Sequence, residues 1–267
     1  MKNEDLKHLV KEKYGAIAAV DTQTGSASCC CGSGCCGEAP YASFNDNYSG
    51  PEGYNPEADL NLGCGLPTEF AGIREGDRVL DLGSGAGNDC FVARSQTGAK
   101  GRVTGLDMTE AMVQKARENL AKTGFDNIDF VAGDIEDMPF PDHAFDVVIS
   151  NCVLNLVPEK ARAFREIFRV LKPGGHFCIS DVVLQGELPA ALKEAAEMYA
   201  GCVSGAMQKR EYLDFIEGSG FSDIVLHKSK PIILPEDLLL KYLSDKEVHD
   251  LLEGKSGIYS ITVGASK

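Results

Sequence analysis

A chain of 267 residues with 43% hydrophobic and 25% charged side chains holds enough apolar material for one large α/β domain with an appended lobe, or for two domains. Its 26 Lys and Arg against 40 Asp and Glu give a formal charge of −14, which repels phosphate backbones and anionic lipid and argues against nucleic acid or membrane surfaces as partners. No run approaches about 18 uninterrupted apolar residues, and the charges scattered through MKNEDLKHLVKEKYGAIAAV leave no apolar core for a secretory signal. The expected compartment is therefore the reducing cytoplasm, where cysteines bind metals or do chemistry more often than they pair structurally.

Residues 4–19 place Leu6, Leu9, Val10, Tyr14 and Ile17 at the spacing of an amphipathic helix. From Asp21 to about Asn61 the chain is dense in Gly, Ser, Asn, Asp and Pro, which predicts a long loop; a loop of that length in a compact chain is functional or disordered. It contains CCCGSGCC, residues 29–36, where Cys29, Cys30, Cys31, Cys35 and Cys36 make up half of the chain's 10 Cys. A disulfide scaffold, a zinc site or a grip on a thiophilic substrate would each use such a cluster. The reducing compartment weakens the first, and the lack of paired C-x-x-C halves or a nearby His weakens the second.

Strands and helices then alternate. DRVLDLG (77–83) reads as a buried strand and GNDCFVARSQTG as the helix after it; RVTGLD (102–107) is a strand, followed by a helix over TEAMVQKARENLAKTG with Thr109 as N-cap. NIDFVAGD and AFDVVISN (144–151) are strands, PEKARAFREIFRVLKPGG a helix opened by Pro158 and closed by Gly174, and HFCISDVVL (176–184) a fifth strand. This rhythm predicts βαβ units in a doubly wound, mostly parallel, Rossmann-like sheet. After Leu184 it breaks: ELPAALKEAAEMYAGCV, KREYLDFIEGSGF and PEDLLLKYLSDKEVHDLL read as helices, DIVLHKS and IYSITVGA as strands. The expected division is an N-terminal helix and cysteine-rich loop (1–63), a cofactor domain (64–185) and a small α+β C-terminal lobe (186–267).

VLDLGSGAGND (79–89) lies between a strand and a helix, where Gly83, Gly85 and Gly87 let the backbone turn tightly and approach a ligand. Its G-x-G-x-G spacing differs from the dinucleotide fingerprint of an NAD-binding domain, the competing reading. Asp107 follows Gly83 by 24 residues at the end of the second strand, placed to accept hydrogen bonds from both hydroxyls of a ribose. In AGDIEDMPF, Asp134 is placed to accept from an adenine amino group and Ile135 to pack on the ring. Over about residues 60–185 this set resembles the class I S-adenosylmethionine-dependent methyltransferases: LDLGSGAG matches their first motif, LDMT their ribose acid, GDIEDMPF their adenine strand and LKPGG the turn before the fifth strand. The resemblance implies S-adenosylmethionine as cofactor, held by Asp81, Gly83, Ser84, Gly85, Gly87, Asn88, Asp107, Met108, Asp134, Ile135 and Asn151.

FDVVISNCVLNLVPE puts Cys152 at the carboxyl edge of the fourth strand, where doubly wound folds bind ligands. Oxygen, nitrogen and carbon acceptors want a general base there, and a thiol is an odd one. NLGCGLPTEF sets Cys64 in a glycine-flanked loop and EMYAGCVSGA sets Cys202 beyond a helix; they stand 88 and 50 residues from Cys152, so only tertiary folding can join the three. Cys90 and Cys178 are expected in the core.

These contexts, with ADLNLGCGLPTEFAGI, LDLGSGAGNDC, SNCVLNLVPEK and KEKYGAIA, resemble the arsenite S-adenosylmethionine methyltransferases over about residues 5–225. The resemblance implies a detoxifying enzyme in which Cys64, Cys152 and Cys202 bind trivalent arsenic, from arsenite or trivalent organoarsenicals. It further implies a disulfide between Cys64 and an N-terminal cysteine, here one of Cys29, Cys30, Cys31, Cys35 and Cys36. Thiolates are the right ligands for a soft, thiophilic element. Methylation oxidises arsenic by two electrons; a pair of thiols can return them by forming a disulfide, with thioredoxin or glutathione resetting the enzyme. Two other functions compete. A methyltransferase for a small organic acceptor, such as a quinone precursor, predicts an apolar pocket indifferent to Cys152 and Cys202. A non-catalytic thiol protein predicts metalloid binding without turnover.

Overall fold

The alternating apolar segments form one seven-stranded sheet in the computed structural model, which describes residues 3–19, 50–188, 203, 205–232, 244 and 256–267. Its parallel part is built from β1 (Arg78–Leu82), β2 (Arg102–Asp107), β3 (Ile128–Ala132), β4 (Phe145–Asn151) and β5 (Leu171–Gln185). Two antiparallel strands complete it, β6 (Ser222–Ile232) and β7 (Gly257–Ser266), giving the order β3-β2-β1-β4-β5-β7-β6. Central β1 pairs Val79 with Val103 on one side and Val147 on the other, and is buried from Val79 to Leu82 because helices cover both faces.

On one face α5 (Lys160–Val170) and α6 (Lys209–Gly218) bring Phe164, Ile167, Tyr212 and Ile216 onto Leu80, Leu82, Val148 and Phe177. On the other, Phe91 of α3 (Asn88–Thr97) and Val113 of α4 (Glu110–Ala121) pack with Val79, Val103, Phe130 and Val147. Cys90 and Cys178 are free thiols buried in this second core, and burial pushes Cys178 up to about 12. The first helix, α1 (Asn3–Ala19), lies along α4, and the short α2 (Pro67–Phe70) precedes β1.

Thr109 stands at the N-cap of α4 as read, but its hydroxyl makes no capping bond to the helix. α5 stops at Val170 rather than at Gly174, because Pro173 disfavours helical geometry at Lys172, and LKPGG becomes the entry to β5 with its turn at Gly174 (φ 78°). The described part of the tail joins the main sheet. β7 pairs with β5 from His176↔Ser266 to Gln185↔Gly257, and Ile261 and Val263 enter the main core. The segments read as helices over 187–203 and 235–252 lie largely outside the described residues, as do Cys202 and the whole of 29–36. Among the described residues no helix is long and apolar enough to cross a membrane.

Candidate active site

A cleft of about 1070 Å³, counting its open mouth, runs along the carboxyl ends of β1, β2 and β4. Its floor is the glycine-rich turn between β1 and α3. Gly83 (φ 68°) donates to the Leu106 carbonyl at 2.7 Å, and Ser84 to the same oxygen at 3.1 Å. A Cβ at Gly83 would collide with the Val153 side chain, whereas one at Gly85 would meet nothing within 4 Å. The turn is thus closed beneath and open toward the cleft at Gly85.

Asp107 ends β2 with both carboxylate oxygens aimed: Oδ2 accepts the Gly85 N–H at 3.0 Å and Oδ1 the Thr109 N–H at 2.8 Å. Burial raises its pKa, and the Thr109 and Gly85 amides oppose that rise. Asp81 lies deeper. Burial pushes its pKa well up, the charge of Asp89 adds to the shift, and the Cys90 thiol, which donates to Oδ2 at 3.2 Å, offsets part of it. Ser84, Asn88, Met108 and Ile135 line the same cleft.

Asn151 lines the cleft and also holds the neighbouring loop. Its Oδ1 accepts the N–H groups of Cys64 (3.1 Å) and Gly65 (3.3 Å), while Nδ2 donates to the Gly65 carbonyl (2.9 Å) and to Asp89 Oδ2 (3.1 Å). Its amide therefore clamps the cysteine loop. Ser260 Oγ donates to the Cys64 carbonyl at 2.6 Å, and a Cβ at Gly65 would come within 2.6 Å of Ser180 Oγ, so only glycine lets the loop lie this close to β5.

Cys152 follows Asn151 directly, at φ 62° with its N–H on the Ser180 carbonyl at 2.8 Å. A left-handed conformation outside glycine costs of order 1 kcal/mol or more and gathers at functional positions. Cys64 and Cys152, 88 positions apart in sequence, have Cα atoms 5.7 Å apart and are joined as a disulfide. The expected convergence of these two sulfurs is present. The redox partner expected for Cys64 within 29–36 lies outside the described residues; Asn151 draws the loop onto the end of β4, where the neighbouring residue is Cys152. Beside the undescribed Cys202, Val203 is buried and a Cβ at Gly205 would run into the Asn155 carbonyl, in the short turn Leu154–Leu156 that follows Cys152. The Asn155 Nδ2 donates to the Val182 carbonyl at 2.6 Å and so braces that turn from below.

At the other end of the cleft Asp134 does not stand alone. Lys7 Nζ of α1 pairs with Asp134 Oδ2 at 2.6 Å and also with Glu136, and Lys7, Val10 and Tyr14 form one wall. The sequence placed Val10 and Tyr14 on an amphipathic helix but gave none of these three a place in the site; the available signal was their shared helical face, i, i+3 and i+7. Among the described residues no group of three or more His, Cys, Asp or Glu is arranged to hold a metal ion.

Comparison with known proteins points the same way. A methyltransferase-domain family matches residues 73–220. The chain is 39% identical over 259 residues to an arsenite methyltransferase of Halobacterium salinarum, across 91% of this chain and 62% of that protein. It is 39% identical over 168 residues to the arsenite methyltransferase of Mus musculus, across 60% of this chain and 44% of that one. It thus spans less than two thirds of the length of either relative. Among solved structures, an arsenic (III) S-adenosylmethionine methyltransferase from Chlamydomonas reinhardtii superposes with a TM-score of 0.65 at 34% identity, over 86% of this chain and 74% of that one.

Proposed function

The chain belongs to the methyltransferase-domain family, and from that premise we propose that it transfers the methyl group of S-adenosylmethionine to trivalent arsenic held by its own cysteines. The observation that carries the reading is the meeting of Cys64 and Cys152, 88 residues apart in sequence, at the edge of a cleft lined by the glycine turn and Asp107.

The cleft fits the cofactor residue by residue. Asp107 is fixed with free lone pairs for ribose hydroxyls, the open backbone at Gly85 leaves room for an amino-acid carboxylate, and the buried Asp81 favours an ammonium beside it. Asp134 and Ile135 suit an adenine amino group and ring. When bound, S-adenosylmethionine supplies an electrophilic sulfonium methyl, so the protein has to supply position rather than a leaving-group acid.

Cys64, Cys152 and Cys202 as thiolates make a soft, three-sulfur donor set for arsenic, which keeps one lone pair and carries no proton to be removed. That suits a site whose described lining contains no histidine. Holding the lone pair about 3 Å from an in-line methyl is the main catalytic device. The Cys64–Cys152 disulfide must be opened before arsenic binds. Attack on the Cys64 sulfur by a thiolate from 29–36 forms a new disulfide there and releases Cys152 as thiolate, with no net electron change. Two electrons from thioredoxin or glutathione then return the new disulfide to thiols.

The test is transfer of labelled methyl from S-adenosylmethionine to arsenite, with glutathione and thioredoxin present, in wild type and Cys152→Ser. Loss of arsenic-dependent methylation with cofactor binding intact is the expected result. Arsenite methylation unchanged in the variant would remove Cys152 from the ligands, no response of wild type to arsenite would return the reading to an organic acceptor, and arsenite binding without methylation in wild type would make the protein a sequestrant.

A further inference from the structure

Helix α1 is held to the body of the protein in an unusual way. None of its side chains described is buried; its docking rests on a few polar contacts and one shallow apolar face. Lys115 Nζ donates to the Ala18 carbonyl at 3.3 Å at one end. Toward the other end, Lys7 bridges Asp134 and Glu136. Those two carboxylates belong to the turn after β3, where the Glu136 N–H donates to Asp134 Oδ1 at 2.9 Å. The Glu136 side chain is only 5% exposed, and its other oxygen accepts the Glu159 N–H at 2.7 Å. Two acids this close, one of them buried, need a cation between them, and Lys7 is the one in place.

We infer that Lys7 is a positioning residue for the adenine end of the cofactor, and that through it cofactor binding and docking of α1 reinforce each other. The inference rests on reading the cleft as the S-adenosylmethionine site. With Oδ1 tied to Glu136 and Oδ2 to Lys7, the Asp134 carboxylate is held in one orientation at the cleft's rim. Burial alone would raise its pKa, but the Lys7 hydrogen bond and the Glu136 amide hold it below the usual carboxylate range, so it stays an acceptor for an exocyclic amine. Val10 and Tyr14, one and two turns further along, complete the wall that a nucleoside would touch. A ligand in contact with α1 adds buried area to a helix that has little, and by linkage the seated helix raises the ligand's affinity by the same factor.

The experiment uses the full chain and S-adenosylhomocysteine, which binds without reacting, in wild type, Lys7→Gln, Lys7→Arg and a control, Lys100→Gln, on the far surface. Titration calorimetry should show affinity lowered about tenfold in Lys7→Gln, largely restored in Lys7→Arg and unchanged in Lys100→Gln. S-inosylhomocysteine, with a carbonyl in place of the adenine amino group, should be disfavoured by wild type and less so by Lys7→Gln; a merely structural lysine would not change that ratio. Hydrogen exchange of the α1 amides should slow on ligand binding in wild type and not in Lys7→Gln. A Lys7→Gln chain that binds and discriminates as wild type does, or an α1 whose exchange ignores the ligand, overturns the inference. Failure of wild type to bind either ligand would instead overturn the cofactor reading on which it stands.

Discussion

All four polar functions of the Asn151 amide are engaged by the Cys64 loop and by Asp89, and the loop's path depends on them. Replacing Asn151 by Ala leaves the buried N–H groups of Cys64 and Gly65 without their acceptor. A buried group stripped of its partner costs about 1–3 kcal/mol, so urea denaturation should show a loss in that range. The variant should also close the Cys64–Cys152 bond less completely, read as the disulfide fraction by mass spectrometry after mild oxidation. Asn151→Asp keeps an acceptor for both amides but sets a carboxylate against Asp89, and should recover only part of the loss at neutral pH. Equal disulfide fractions in wild type and Asn151→Ala would mean that the glycines, not the amide, place the loop.

At the scale of elements, β5 carries an acid where a hydrophobic residue is the easier choice. Asp181 is fully buried between the sheet, α5 and α6; its Oδ1 accepts the Val182 N–H at 3.0 Å and its Oδ2 the Tyr212 hydroxyl at 3.3 Å. Burial raises its pKa to about 7, with the Val182 amide and the Lys160 charge pulling the other way. Lys160 is itself lowered by burial, which the charge of Asp181 opposes. The folded protein therefore holds a proton that the unfolded chain, with an ordinary carboxyl near 3.8, has released. Stability from this source is full below the unfolded pKa and is lost as pH rises toward about 7, a change on the order of a few kcal/mol. Asp181→Asn should flatten that slope in urea midpoints measured across the window; parallel slopes would show that Asp181 ionises freely. The apolar runs in HFCISDVVL predicted the strand, but nothing local marked its acid as buried. The same limit explains other gaps. Apolar spacing runs unbroken through EIFRVL, so only Pro173 signals that helix gives way to strand before Gly174. β6 and β7 were legible as strands, but their place beside β5 is a long-range choice. Gly83, Gly85 and Asp107 were legible because a strand-to-helix turn constrains residue type locally. Lys7 was not, since a lysine on an amphipathic helix reads as solvated until the fold sets Asp134 against it.

For the whole molecule, the Cys64–Cys152 bond links the loop entering the sheet to the end of β4, and under the proposed function chain stability and arsenic binding would oppose each other. A cross-link spanning a sequence separation of 88 removes loop-closure entropy from the unfolded chain equivalent to about 4–5 kcal/mol in the chain-entropy model. The oxidised protein should then be the more heat-resistant form, yet its two sulfurs are joined to each other and closed to a third partner. Reduction reverses both properties. Trivalent arsenic bound across the two thiolates would rebuild the connection through a new bridge, and any ligand that binds only the folded state stabilises it by mass action. Thermal unfolding should show wild type falling by roughly 10 °C on reduction, given about 2–4 °C per kcal/mol for a chain of this size. Arsenite added to the reduced protein should restore much of that loss. Cys64→Ser, which can form neither link, should unfold at the reduced wild-type temperature with or without reductant and respond weakly to arsenite through its remaining thiols. If wild type unfolds at one temperature in both redox states, the bond adds no stability; if arsenite shifts Cys64→Ser as far as wild type, arsenic is held elsewhere, and Cys64 is not among its ligands.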